Sequence, residues 1–110
     1  MPIKFNDLVN ETVKATVLFD EDGQDQLVIE MKRGFYTPVV SARIGASDSP
    51  IQTQVEIMAD SIVAWDLFDD KNKPMPINVE TLSKLSIYAL NKIYEAMLGA
   101  VLPNPAKGSS

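Results

Sequence analysis

The chain contains no cysteine and no histidine. Without cysteine there are no disulfides, no thiolate nucleophiles and none of the usual zinc frameworks. Without histidine, the side chain that most often moves protons near neutral pH is missing, and with it the common Ser–His and Cys–His nucleophile arrangements. Glycine is scarce at five residues, and none falls in a phosphate-cradling loop or a Gly-x-Ser-x-Gly elbow. No apolar run approaches the roughly 20 residues that a membrane-spanning helix requires. The opening stretch from Met1 to Asp7 has no apolar signal core, so the expected compartment is the cytosol in which the chain is made. In that setting the sequon Asn10-Glu11-Thr12 carries no meaning.

Positive charge is also short. Ten Lys and Arg stand against fifteen Asp and Glu, for a formal net charge of −5. The basic residues Lys4, Lys14, Lys32-Arg33, Arg43 and Lys71/Lys73 never gather into a block. An acidic chain with scattered cations has no electrostatic footprint for nucleic acid or for an anionic membrane.

What remains is an ordinary globular composition: 110 residues, 45% hydrophobic and 23% charged, enough for one modest core without staples. A single domain over residues 1–102 is expected, followed by a flexible tail over 103–110, Pro-Asn-Pro-Ala-Lys-Gly-Ser-Ser. Thr12–Phe19 alternates imperfectly and is rich in β-branched residues, and Gln26–Met31 is a second short apolar run. The acidic segment between them holds Asp22-Gly23, a hairpin signal, so a β-hairpin over about 12–31 is expected. Two strands alone are marginal and must pack on something else.

Helix signals follow. Thr37-Pro38 reads as an N-cap with proline in the first helical position, opening a short helix over 38–44. Ser49-Pro50 repeats that signal. Ile51, Val55, Met58, Ile62 and Trp65 then recur at steps of four and three, which predicts an amphipathic helix over 50–68. Asn78 caps a short helix over 79–85, and Ser86 starts a last helix over 86–101 that Pro103 stops. The expected fold class is α+β: an N-terminal β-hairpin packed against a small C-terminal bundle of three to four helices. Met58, Ile62, Trp65 and Leu90 are the expected core residues. For the lone Trp65 a partner-facing role stands as the alternative to a core anchor, because tryptophan is enriched at binding hot spots.

Only carboxylates remain as candidates for chemistry. Asp66, Asp69 and Asp70 are close enough in sequence to suggest a cation site or an acid–base pair. However, Lys71, Lys73 and Pro74 break the calcium-loop pattern, and Thr81 stands where its distant glutamate belongs. These acids read as a solvated loop, and no enzyme, cofactor or metal is expected. Binding is better supported. Twelve of the seventeen residues from Ser86 to Leu102 are apolar, more than a single buried stripe needs, although a small core can use most of such a surface. The surplus side, Tyr94, Met97, Leu98 and Val101, is the candidate surface for a helical partner or for self-association.

Several motifs in order resemble the tail assembly chaperones of long-tailed, siphovirus-like bacteriophages. They are Trp65-Asp66-Leu67, the acidic turn and proline step from Asp69 to Pro76, Val79-Glu80-Thr81-Leu82, Leu85, the closing helix and Pro103-Asn104-Pro105. Upstream, the hairpin followed by Phe35-Tyr36-Thr37-Pro38 is similar to the same proteins, and the likeness runs from about Val13 to Pro105. Two positions depart from the pattern: Asn72-Lys73 replaces a frequent glycine, and Ser86 replaces a common proline. Asparagine tolerates turns and serine caps helices, so neither forbids the fold. The resemblance implies a non-catalytic chaperone that binds and solubilises the tape-measure protein and helps recruit tail-tube subunits. It would act in the host cytoplasm and be absent from the mature virion. The alternative is a structural head–tail completion or tail-terminator protein.

Overall fold

The computed structural model describes residues 2–20, 22 and 25–101. Their order is α1 (Phe5–Asn10), β1 (Thr12–Leu18), β2 (Gln26–Lys32), α2 (Pro38–Ala46), α3 (Pro50–Ser61), β3 (Ile62–Trp65), α4 (Val79–Ser83) and α5 (Ile87–Val101). The class is α+β: an N-terminal hairpin, extended by β3 into a three-stranded antiparallel sheet of order β1-β2-β3, together with helices. Gly23 of the hairpin signal and the expected tail over 103–110 lie outside the described residues.

Alternation sorts the hairpin into two faces. Val13, Ala15 and Val17 of β1 pair with Met31, Ile29 and Leu27 of β2. Five of these six are buried, and Val13 is partly buried against them. The opposite face carries Thr12, Lys14 and Thr16 beside Lys32, Glu30 and Val28, and it stays open to solvent, as one face of an antiparallel sheet can. Onto the buried face come Val55, Ile57 and Met58 of α3, Leu82 of α4, and Leu90, Ile93 and Met97 of α5.

Local chemistry explains the helix starts. The Thr37 hydroxyl accepts from the Val40 amide at 3.1 Å, with Pro38 in the first helical turn. The Asn78 side-chain Oδ1 accepts from the Thr81 amide at 2.8 Å, and the Ser86 hydroxyl accepts from the Ala89 amide at 3.1 Å. Each satisfies an amide that has no partner within its helix. Ser49 makes no such side-chain bond. There the Ser47 hydroxyl takes over, accepting from the Ser49 amide at 3.0 Å and from the Thr53 hydroxyl at 2.6 Å. The helix α2 buries no residue fully. Its Arg43 pairs with Glu56 of α3 at 2.8 Å, an exposed bridge worth at most about 1 kcal/mol.

The helix expected over 50–68 is the main correction. It ends at Ser61, and Ile62–Trp65 is strand β3 paired with β2. The Ser61 hydroxyl donates back to the Ile57 carbonyl at 2.6 Å, occupying a carbonyl in the last turn. Beyond it the β-branched and aromatic run Ile-Val-Ala-Trp suits a strand. The helical spacing was deceptive for a geometric reason. Met31 pairs with Ile62 and Ile29 with Trp65, and the register shifts between Glu30 and Met31, so Val63 is the extra residue of a bulge. A bulge turns the strand step of two into a step of three, which reads as helical periodicity. The short helix α1 falls outside the sequence-based expectations; its Phe5 and Leu8 are exposed, as is Ile3 just before it. Among the described residues, no helix is long and apolar enough to cross a membrane.

Ile93→Ala removes a side chain that is 1% exposed in the centre of this core. The expected cost is about 2–5 kcal/mol, read as a lower urea midpoint with unchanged slope, whereas Asn91→Ala on the exposed side of α5 should shift it by less than about 0.5 kcal/mol.

Candidate partner-binding surface

Helix α5 packs along β1. Its inward positions Leu90, Ile93 and Met97 step by three and four residues, and all three are buried. This corrects the partner-facing assignment of Met97, which is 0% exposed. An unbranched thioether at that position fills core space beneath the helix and cannot meet a partner while the fold is intact. Tyr94, Leu98 and Val101 are partly buried and pack against the same core. They lie on the flank of α5, where part of each side chain remains accessible. Burial, with Tyr36 nearby as a secondary electrostatic cause, raises the Tyr94 hydroxyl above the ordinary tyrosine pKa. That phenol is neutral at physiological pH and offers a partner no charge.

The open apolar surface of α5 sits instead at its N-terminal end, where Ile87 is 60% and Tyr88 58% exposed. Sequence spacing puts Ile87 on one apolar stripe with Leu90 and Tyr94 but does not tell which of them is covered. Large exposed apolar side chains also occur at Ile3, on α1 (Phe5 and Leu8), at Leu18 closing β1, at Val39 of α2, Ile51 of α3 and Val63 of β3, and at Phe68 in the loop after β3.

The corner that begins at Trp65 is structural in its bonding. The Trp65 indole Nε1–H donates to the Met75 carbonyl at 2.8 Å, and the ring is partly buried against the core. Met58, Ile62 and Leu90, grouped with it in the sequence, are buried. Asp66 holds Val28 twice: its carboxylate accepts from the Val28 amide at 2.8 Å, and its own amide donates to the Val28 carbonyl at 3.2 Å. Asp69 folds the following turn, one carboxylate oxygen accepting from the amides of Lys71 at 2.8 Å and Lys73 at 3.0 Å. Return contacts from Met75 to Leu67 and from Pro74 to Phe68 close a small hairpin. Asn72 sits there at φ 62°, the left-handed region where glycine is the ordinary occupant and asparagine the best substitute.

The structure therefore spends Asp66 and Asp69 on backbone amides. Among the described residues, no group of three or more Asp or Glu could hold a metal ion. Behind this hairpin, Leu67, Phe68, Met75 and Leu85 line an open apolar groove with Asp69, Asp70 and Lys84 at its rim.

With this geometry in hand, comparison with family models, with curated proteins and with solved structures yields no match to the chain.

Asn72 provides a direct check on the turn. Asn72→Gly should be neutral or stabilising by up to about 1 kcal/mol, while Asn72→Val should destabilise by about 1–2 kcal/mol, since a β-branched residue resists positive φ. Thermal melts of the two variants should move in these directions; a Val variant as stable as the parent would contradict the turn geometry.

Proposed function

We propose that the chain is a non-catalytic bacteriophage tail assembly chaperone that holds the tape-measure protein soluble and helps bring tail-tube subunits to it. The observation that carries this reading is the surplus of apolar surface. Ile3, Phe5, Leu8, Phe68, Ile87 and Tyr88 are exposed in three separate stretches of the chain, while Asp66 and Asp69 are engaged in holding a strand and a turn.

Scattered apolar residues on a monomer are ordinary. Here ten large apolar side chains are exposed among the described residues, from Ile3 to Tyr88, and the chain carries a net charge of −5 that keeps such a surface in solution. A tape-measure protein is a long helix with apolar stripes that aggregates unless covered, and a small acidic protein with spare apolar side chains is suited to covering it. The resemblance carried by Trp65-Asp66-Leu67, the turn to Pro76 and the closing helix supplies the class of target. The flank of α5 formed by Ile87, Tyr94, Leu98 and Val101 is the proposed contact, with Met97 beneath it as support. The protein would work in the host cytoplasm and leave before the particle is complete.

Co-expression with a tape-measure fragment tests this reading. The parent chain should keep the fragment in the soluble fraction, and Ile87→Asp, at a site that is open to solvent, should reduce that yield several-fold while the domain stays folded. A fragment that remains insoluble with the parent chain would contradict the proposal. So would recovery of the protein in stoichiometric amounts from purified particles.

A further inference from the structure

We infer that the outer edge of β1 is a docking site for an extended peptide segment of another protein, which joins the sheet there as a fourth strand. The site is distinct from the α5 flank of the proposed function and stands without it. The ladder between β1 and β2 fixes which main-chain groups are free. The Phe19 amide donates to the Asp25 carbonyl at 2.9 Å, and the Arg33 amide donates to the Glu11 carbonyl at 2.7 Å. An antiparallel ladder bonds at every second pair, so between Glu11 and Phe19 the main chains of Val13, Ala15 and Val17 face β2. Thr12, Lys14, Thr16 and Leu18 each direct an amide and a carbonyl the other way. All four residues are exposed, and among the described residues these main-chain groups make no hydrogen bond.

Proteins blunt such an edge with a very short strand, a bulge or a proline. The opposite edge follows that rule, since β3 has four residues and carries the bulge at Val63. Strand β1 does not: it runs for seven residues without proline, in an unbroken register from Thr12 to Leu18. Its one charged side chain is Lys14. Free amides and carbonyls in a row select an extended partner, because a helix has already spent its own main-chain groups internally.

Helix α5 decides which extended partner fits. It packs along β1, more closely than along β2 or β3. Pairing with β1 of a second copy would put both α5 helices on one face beneath strands about 4.8 Å apart, whereas packed helices need about 8–10 Å. A segment with no helix beneath it meets no such conflict, and its inward side chains can rest on α5. Leu18, Phe19, Asp20, Tyr88 and Lys92 line an open groove at the end of this edge, a seat for one of those side chains. The Tyr88 hydroxyl donates to the Phe19 carbonyl at 3.3 Å and holds the groove in shape. Asp20 and Lys92 offset each other in charge, so the seat takes an uncharged apolar side chain. Main-chain bonds then supply affinity and the seat supplies specificity.

Peptide titration followed by amide NMR shifts of the parent chain tests this. The first probe is a peptide of about nine residues, enough to span β1, alternating threonine and valine with one phenylalanine. The second is the same peptide N-methylated throughout, which keeps the side chains and removes the amide donors. The third is a leucine-striped helical peptide of about 18 residues. The first should bind at least about tenfold more tightly than the other two, with shifts concentrated at the amides of Thr12, Lys14, Thr16 and Leu18. Thr16→Pro removes an outward amide at an edge position that tolerates proline; it should weaken binding at least about tenfold and keep a cooperative melt. Thr16→Val keeps the amide and should bind as the parent does. Equal binding of the first two peptides, preference for the helical one, shifts absent from those four amides, or no binding of the first peptide at about 1 mM would overturn the site. So would a parent dimer in sedimentation that Thr16→Pro dissociates, since a second copy would then hold the edge. Should the proline variant fail to fold, the first two peptides on the parent chain decide the matter.

Discussion

The bulged pairing of β3 with β2 is the contact on which the rest of the molecule depends. Ile62 lies opposite Met31 and Trp65 opposite Ile29, with Val63 as the extra residue between. Because α3 runs into β3 without a loop, this pairing anchors α3 to the sheet and sets where Val55, Ile57 and Met58 enter the core. It also determines the start of everything downstream. Asp66 clamps Val28 through both its main chain and its carboxylate, the Trp65 indole holds Met75, and the small hairpin between them delivers the chain to Asn78 and α4. Without the bulge, a strand step of two could not bring both Ile62 and Trp65 against the buried positions of β2.

This frame divides the last helix into surfaces with different duties. Leu90, Ile93 and Met97 are consumed by the core, so the accessible apolar side chains of α5 lie on its flank and at its N-terminal end. The N-terminal end adjoins Leu18, Phe19 and Asp20, and Tyr88 joins it to the end of β1 through its bond to the Phe19 carbonyl. Under the proposed function, contact through these few exposed side chains would leave the core undisturbed by binding and release of the client. Helix α2 buries no residue fully and meets the core through Val40 and Ile44.

Much of this was legible in the residues. Thr37-Pro38 and Asn78 announce helix starts because short polar side chains can take an otherwise unpaired amide, and Thr12–Leu18 and Gln26–Lys32 alternate as strands with one wet face. Asn72 at positive φ shows how the turn accommodates the absence of glycine. Three features were not legible. The strand β3 was hidden because a bulge reproduces helical spacing at Ile62 and Trp65. Met97 looked as available as Leu98, since which flank of an almost wholly apolar helix meets the sheet is decided by β1 and not by the helix. Exposure of Ile87 and Tyr88 depends on where the hairpin end reaches, a long-range matter that periodicity does not encode. For the site, the residue types were visible in advance and their accessibility was not.

Amide hydrogen exchange, measured on the protein alone and in complex with a co-expressed tape-measure fragment, tests the central claim most directly: that a folded and non-catalytic domain binds its client through surface apolar side chains. The account predicts slowed exchange on complex formation at the end of β1 and in the first two turns of α5, with the amides of β2 and β3 unchanged. Slowing confined to the sheet core, or no slowing in α5 when the fragment is bound, would contradict it.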